Sequence, residues 1–217
     1  KEGNTWVVEM KRPLSSDKPG DLSLAPDRIY NFGFAIHDDF SDARFHHVSL
    51  GYKLGFDNDT EAVEVNAVKR EPAAVATTAA TRAAPGPATA GAASFDVDWS
   101  KAGSREITLF YPGQTSMEWT LVGKYHGGAL PFKDGDRCTT CHDKETALMG
   151  PRMSTGQKAE PTPLPDKRAS IPVTVQAAHD EENVYLRFQW DDTEHVPVLF
   201  ADGGKMDPEN QVKLAVM

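Results

Sequence analysis

Runs in which apolar and polar residues alternate with a period of two are the feature that most constrains the fold of this chain. In the clearest of them Val184, Leu186, Phe188 and Trp190 share one face, and the residues between them share the other. Further short β-type runs occur at 5–8, 29–36, 45–54, 107–111, 117–122, 171–178 and 211–217. With so many short strands and little helix, we expect a mainly β fold, arranged as an antiparallel β-sandwich.

Two of these runs predict a hairpin. Residues 29–36 and 45–54 each place alternate apolar residues on one face, and the polar segment 37–42 between them suits a turn. In the second run His46 falls on the apolar face, whereas His47 points towards solvent or a loop. We therefore expect His46 to be buried and His47 to be exposed.

The segment 71–94 separates two strand-rich parts of the chain. It consists almost entirely of Ala, Thr, Pro and Gly, with no large apolar residue beyond Val75. Such a segment cannot bury a core, which predicts a linker or a disordered insert. We therefore divide the chain into a strand-rich part at 1–70, this linker, and a second strand-rich part at 95–217. The two parts are expected to form one sandwich, or the second part to form one with a partner chain.

The chain is acidic, with a formal net charge of −9 over 217 residues. This charge argues against nucleic acid and anionic membrane surfaces as partners, since both would repel it. No apolar run approaches the ~18 residues that a membrane-spanning helix requires, so we expect no membrane span.

The only two cysteines, Cys138 and Cys141, form a C-x-x-C-H motif with His142. In this motif the two thiols add across the vinyl groups of a haem, and the adjacent histidine supplies an axial nitrogen to its iron. A structural zinc site would need further paired Cys or His ligands, and a redox dithiol would not require the histidine. The motif therefore predicts one covalently attached haem c, with His142 as the proximal iron ligand. Because such attachment takes place outside the cytoplasm, we expect a periplasmic or otherwise extracytoplasmic protein.

The second axial ligand is open among several residues. His126 is the first candidate, because it precedes the motif in a glycine-rich loop whose backbone can approach a cofactor closely. His46 and His47 are the alternatives, since an imidazole on an apolar face needs a partner or a metal. Met149 or Met153 would supply a thioether and raise the potential. Each of these residues also has an ordinary interpretation, as a loop or core histidine or as a methionine that fills a gap in the core.

The remaining polar residues are expected to play no part at the haem. Three histidines beside acidic residues are interpreted as solvated or ion-paired: His37, His179 and His195. A calcium-loop fragment is suggested at Asp191, Asp192 and Glu194, but the spacing is incomplete and a solvated turn is favoured. No nucleophile elbow or glycine-rich phosphate or dinucleotide motif occurs, so no catalytic residue is predicted.

A family resemblance covers most of the chain outside the linker. It is carried by the stretches 107–119, 126–129 and 173–190, and by 6–14 together with 30–54. These resemble the haem-binding domain family that includes the gamma subunits of ethylbenzene dehydrogenase and dimethylsulfide dehydrogenase, and periplasmic c-type relatives. The resemblance implies a sandwich of the immunoglobulin or DOMON-like kind, with haem held by loops at strand ends. It also implies electron transfer, as the haem subunit of a molybdenum enzyme or as a carrier.

Two features depart from this family. Segments of the kind found late in the family, 6–14 and 30–54, here precede those found early, so the order resembles a circular permutation or a junction of two such domains. The gamma subunits hold haem non-covalently through Met and Lys, whereas this motif predicts covalent attachment. The late ligand of the family would fall near His46 and His47, which keeps both among the candidates.

Together these features predict a periplasmic c-type cytochrome that transfers single electrons through one haem. We expect an electron-transfer protein, or the electron-transfer subunit of an oxidoreductase, and not an enzyme in its own right. The alternative is a haem-based sensor or ligand-binding module with an open or displaceable sixth position. Expected partners are redox proteins, such as a molybdenum oxidoreductase or a membrane quinol-oxidising complex. A homodimer or domain swap is expected if the strand at 211–217 leaves an unpaired edge.

Overall fold

The computed structural model describes residues 3–37, 46–70, 95–113, 115, 117–157, 168–192 and 213–217. The strands in these ranges are β1 (Thr5–Pro13), β2 (Tyr30–Phe32), β3 (Phe34–His37), β4 (His46–Val48), β5 (Tyr52–Phe56), β6 (Val65–Lys69), β7 (Ser104–Phe110), β8 (Ser170–His179), β9 (Asn183–Asp191) and β10 (Lys213–Val216). The helices are α1 (Met117–Leu121), α2 (Ala129–Lys133), α3 (Cys138–His142) and α4 (Thr146–Ser154). All four of these helices lie between β7 and β8 in the chain.

The strands are joined by hydrogen bonds into one sheet that branches at β8. One edge of β8 pairs with β9, which pairs in turn with β1. The other edge is shared, because β7 pairs with residues 170–176 of β8 and β6 pairs with residues 177–179. The first branch continues from β7 through β4 and β3 to β10, and the second continues from β6 through β5 to β2. The sheet thus divides into two arms that share β8, β9 and β1.

Strands from both sides of the segment 71–94 are neighbours in this sheet. β1 runs antiparallel to β9 over its whole length, from Thr5 opposite Asp191 to Pro13 opposite Asn183. In the same way β3 pairs with β10, β4 pairs with β7, and β6 pairs with β8. Residues before and after the segment therefore contribute to the same sheet. The predicted linker lies outside the described residues, and the division into parts stays a prediction.

The core forms where the alternating runs bring their apolar residues together. Phe34 of β3 and Phe188 of β9 are fully buried, with ring centroids 5.0 Å apart. Ile36, Val173 and Val175 are buried to the same degree. Burying a side chain of this size contributes about 1.5–3 kcal/mol relative to leaving it exposed. The strands predicted at 171–178 and 184–190 are confirmed as β8 and β9, which supply much of this core.

The antiparallel sandwich stays a prediction, and the pairing of β6 departs from it. β6 runs parallel to both β5 and β8, whereas the other strand pairs are antiparallel. The connection 57–64 returns the chain to the start of β5 instead of making a tight hairpin, so β6 begins beside the start of its neighbour.

The predicted hairpin forms with a break in its second strand. β3 pairs with β4 and β2 pairs with β5, while residues 49–51 belong to neither strand. The break shifts the alternation by one residue, which exchanges the two faces of β4. His47 is therefore fully buried and His46 is exposed, so the predicted faces of these two residues were wrong.

The prediction of a strand at 117–122 was also wrong, because this segment forms α1. A short alternating run does not distinguish a strand from one turn of helix. The other helices, α2, α3 and α4, are each nine residues or shorter, in agreement with the expectation of little helix, although none of them was predicted individually.

Close contact with the sheet holds α4 in place. The helix packs on β7 and β8, and a β-carbon on Gly150 would lie only 1.8 Å from the carbonyl oxygen of Ala169. The hydroxyl of Ser170 donates a hydrogen bond of 3.1 Å to the carbonyl oxygen of Ala147. Glycine at 150 thus allows the helix to lie directly against the start of β8.

Candidate functional site

His126 and His142 lie side by side although sixteen residues separate them in the chain. Their ring centroids are 6.0 Å apart and their planes are inclined by 30°. His126 lies in the loop between α1 and α2, and His142 is the last residue of α3. Two imidazoles that bind one metal ion through bonds of about 2 Å have ring centroids roughly 6 Å apart. The observed separation is compatible with two ligands of one metal ion.

Both imidazole rings are oriented through Nδ1. Nδ1 of His126 lies 2.8 Å from the carbonyl oxygen of Thr120, and Nδ1 of His142 lies 3.3 Å from Oε2 of Glu145. A metal-binding histidine almost always donates its second ring N–H to a carbonyl or carboxylate, which fixes its tautomer. Each ring then has Nε2 as the nitrogen available to a metal.

Two neighbours define the surroundings of His126. The ring of Trp119 packs on the imidazole with the ring centroids 5.7 Å apart. A β-carbon on Gly128 would lie 3.1 Å from Cε1 and 3.2 Å from Nε2 of His126. A larger residue at 128 would crowd the nitrogen that is available to a metal. The glycine-rich loop therefore gives a cofactor access to this ring.

The two histidines line a cavity of about 360 Å³. This volume lies within the range of ~300–1,000 Å³ that is usual for cofactor pockets. Cys138 and Cys141 line the same cavity, so all three chemical groups of the motif reach it. The remaining walls are mainly apolar or aromatic and include Phe110, Trp119, Phe132, Met149 and Met153. Two thiols, two imidazoles and apolar walls together fit a haem.

Charged side chains attach α3 to the sheet at both ends. Before the helix, the guanidinium of Arg137 donates to both carboxylate oxygens of Glu64, at 2.8 and 3.2 Å. After it, Arg105 of β7 donates to the carboxylate of Asp143 at 3.1 and 3.3 Å, and the Tyr52 hydroxyl donates to the same group at 3.3 Å. Burial and the negative charge of Asp143 raise the pKa of Tyr52 to about 12, so this phenol stays protonated. The motif is thereby fixed on the sheet.

The competing metal interpretations find little support in the described ranges. Within them, no group of three or more His, Cys, Asp or Glu side chains is placed to hold a metal ion, as a structural zinc site would require. Asp192 of the suggested calcium-loop fragment is buried and accepts a 2.9 Å hydrogen bond from the indole of Trp6. Asp191 is exposed, and Glu194 lies outside the described residues.

His46 and His47 are not among the residues that line the cavity. Nε2 of His47 lies 2.7 Å from the carbonyl oxygen of Arg168, inside the sheet region. His46 is exposed on β4. The geometry therefore favours His126 over either of them as the partner of His142.

The other candidates take up different positions. Met149 and Met153 do line the cavity, one helical turn apart on α4. His179 is buried and its Nε2 lies 3.0 Å from the carboxylate of Asp57, so it is hydrogen-bonded away from the cavity, and whether it is ion-paired stays a prediction. His37 lies in β3, and His195 is outside the described residues.

Sequence reasoning missed the residues that orient and anchor the site. The contact of Glu145 with His142 could have been predicted, because a carboxylate three residues after a histidine in a helical segment lies near that histidine. Thr120, Glu64 and Arg105 had none, because their contacts arise only when the sheet and helices pack together.

The chain is similar to two bacterial cytochromes c. It is 42% identical over 125 residues to cytochrome c-552 of Stutzerimonas stutzeri, a match that covers 58% of this chain and 41% of that protein. It is 33% identical over 120 residues to cytochrome c-551 of Rhodocyclus tenuis, covering 55% of this chain and 47% of that protein. The chain therefore matches less than half of the length of either relative.

Two further comparisons found no match, since no protein-family model and no solved structure corresponds to the chain. No helix in the described part of the chain is long and apolar enough to cross a membrane. The names of the two relatives agree with the C-x-x-C-H motif at Cys138–His142, whose cysteines and histidine line the cavity described above.

Proposed function

We propose that the chain binds one haem c through Cys138 and Cys141, with His142 and His126 as its two axial ligands, and that it transfers single electrons. The observation that carries this proposal is the 6.0 Å separation of the two imidazole rings within the cavity that both cysteines line. The separation suits two ligands on one iron, and the orientation of both rings through Nδ1 suits the same role.

When bound, the haem supplies the one-electron couple of its iron. The chain's own residues hold the two imidazoles in one tautomer and one orientation, through Thr120 and Glu145. Two rings that are held in this way would need little rearrangement when an electron arrives or leaves. The mainly apolar walls would lie against the ring. Two imidazole ligands predict a low-spin iron and a potential lower than a His–Met pair would give.

A redox protein is the partner that this site would need, and the surface around the cavity suits one. Val122, Tyr125, Leu130 and Leu148 are 42–69% exposed, and Tyr125 lines the cavity itself. The residues 117–157 contain five Lys or Arg and five Asp or Glu, whereas the whole chain carries −9. An apolar and locally neutral face suits transient docking that depends little on salt. Candidate partners are a molybdenum oxidoreductase and a membrane quinol-oxidising complex.

We also propose a cellular location, a family relationship and an oligomeric state for the protein. Haem c attachment takes place outside the cytoplasm, so we place the protein in the periplasm. We also propose that the branched sheet is the sandwich of the dehydrogenase gamma-subunit haem domains, with its segments in permuted order. A homodimer or domain swap belongs to the same proposal and is tested by the mass of the protein in solution.

The direct test is to produce the chain in a bacterial periplasm that has a haem c maturation system. After denaturation, mass spectrometry should show one haem attached per chain, and the Cys138→Ala/Cys141→Ala variant should carry none. A redox titration of the intact protein should follow one reversible one-electron step. A chain that matures without haem would overturn the proposal.

The same preparation separates a carrier from a ligand-binding module. With both axial positions occupied by histidine, the spectrum of the ferrous protein should not change rapidly when CO is added. A rapid change would mean an open or displaceable position, and would replace the electron carrier with the sensor alternative.

A further inference from the structure

One cation on the wall of the cavity has no partner within the described part of the chain. The charged residues that line the cavity are Asp136, Arg137, Glu145 and Arg152. Arg137 is held by Glu64, and Glu145 is engaged by His142. Arg152 forms no ion pair or side-chain hydrogen bond with the described residues and is exposed to solvent at the cavity wall.

The position of Arg152 is fixed by the helix that carries it. Arg152 lies in the last turn of α4, three residues after Met149, so both side chains can reach the same cavity from one helix face. Gly150, between them, lies against the backbone of Ala169, so the helix is seated directly on the start of β8. The base of the Arg152 side chain is therefore held in place while its guanidinium has freedom to turn towards a ligand.

A haem presents this cavity with two kinds of surface. Its ring is apolar and suits the walls, but it carries two carboxylate side chains, and a carboxylate at an apolar wall is costly unless a cation or hydrogen bonds accompany it. A guanidinium matches a carboxylate with two parallel N–H donors. Arg137 is less suited to this task. Its guanidinium already donates to both carboxylate oxygens of Glu64, and Arg137 adjoins Cys138, one of the two residues to which the haem would be attached.

We propose that Arg152 binds a carboxylate side chain of the haem and by its charge raises the reduction potential of the iron. This inference rests on the proposed function, since it assumes that the cavity holds the haem. A positive charge close to the haem favours the reduced state, which carries one positive charge fewer than the oxidised state.

The test compares redox titrations of the matured protein with those of three variants. Arg152→Gln removes both the positive charge and the two parallel N–H donors, whereas Arg152→Lys keeps only the charge. Lys144→Gln is the control, because it removes one charge from an exposed residue that does not line the cavity. Arg152→Gln should lower the potential enough to change the ratio of reduced to oxidised protein about three- to tenfold, tenfold corresponding to ~59 mV for one electron. Arg152→Lys should recover part of this loss, and Lys144→Gln should change the ratio less than Arg152→Gln does.

Haem content and reduction potential together distinguish a failure of the proposed function from a failure of the role of Arg152. Haem content and the low-spin spectrum are measured first, because a wild-type chain without covalent haem would overturn the proposed function itself. If the haem is present and low-spin in all variants, equal shifts in Arg152→Gln and Lys144→Gln would overturn only the role of Arg152. A shift of the potential in Arg152→Lys as large as that in Arg152→Gln would also overturn the role of Arg152. It would show that a positive charge at this position does not raise the potential.

Discussion

Arg137 and Glu64 form a two-pronged ion pair that joins the residue before the haem motif to the residue before β6. The Glu64 side chain is only 13% exposed and also accepts a hydrogen bond from the backbone of Lys53. A paired carboxylate of this kind gains from charge-assisted hydrogen bonds and is screened little by water. The pair therefore ties the start of α3 to the sheet.

A double-mutant cycle with Arg137→Met and Glu64→Gln should give a coupling free energy of about 1 kcal/mol in chemical unfolding. The matched control is the pair of Lys69 and Glu181, whose side chains are 56% and 81% exposed. Its cycle with Lys69→Met and Glu181→Gln should give a clearly smaller value, because water screens it. Equal coupling in the two cycles would mean that the contact of Arg137 with Glu64 does not anchor the motif.

Substituting Gly150 with alanine should destabilise the protein strongly. The added β-carbon would meet the carbonyl oxygen of Ala169 at 1.8 Å, so α4 must move away from β8. We expect a loss of about 3 kcal/mol or more in the free energy of unfolding. Gly123→Ala is the control, since a β-carbon there meets no atom within 4 Å, and its effect should stay within about 0.5 kcal/mol. Thermal and urea unfolding of both variants provide the comparison.

Replacing Glu145 with glutamine should raise the reduction potential. The carboxylate beside Nδ1 of His142 makes the imidazole more basic and so favours the oxidised iron, an effect that a neutral amide largely loses. Asp134→Asn removes an exposed carboxylate from the same helical region, away from the cavity, and serves as the control. A potential in Glu145→Gln no higher than in this control would show that the 3.3 Å contact does not tune the iron.

Asp180 should cause the free energy of unfolding to decrease as the pH falls into the acid range. Burial alone would raise its pKa, but hydrogen bonds from the Tyr185 hydroxyl and the backbone amides of Glu182 and Asn183 outweigh burial and lower the pKa to about 2. Between roughly pH 2 and 4 the unfolded state thus binds more protons than the folded state, so stability falls as the pH falls. The contribution is complete above that range and is lost as the pH passes through about 2.

Urea unfolding at pH 6 and pH 3 measures this contribution. The wild-type protein should lose on the order of 1–2 kcal/mol more between the two pH values than Asp180→Asn does. Asp27→Asn, at an exposed turn position, should behave like the wild type. An identical pH dependence in Asp180→Asn and the wild type would contradict the role of these hydrogen bonds.

The sequence was informative where the chemistry is local. The C-x-x-C-H motif and the glycine-rich loop around His126 could both be recognised from spacing, and the alternation in β8 and β9 predicted their strands. His46 and His47 show where such reasoning fails, because one break at residues 49–51 exchanges the two faces, and the single glycine in it, Gly51, does not by itself show where the strand is interrupted. The helical turn at Trp119 also escaped detection, since five residues are too few for a period to emerge.

The second ligand could be named but not chosen from the sequence. His126 meets His142 only because the segment from α1 to α3 folds back on itself, with α1 packed against α2. That path depends on contacts between distant residues, such as Arg105 with Asp143 and Gly150 with Ala169. Contacts of this kind leave no pattern in the local sequence.

The electron paramagnetic resonance and optical spectra of the ferric His126→Ala protein show whether His126 and His142 both bind the iron. His46→Ala is the matched control, because it removes an exposed imidazole that does not line the cavity. We expect His126→Ala to keep its covalent haem but to convert the iron from low spin to high spin, while His46→Ala stays low spin. A low-spin spectrum unchanged in His126→Ala would contradict this expectation.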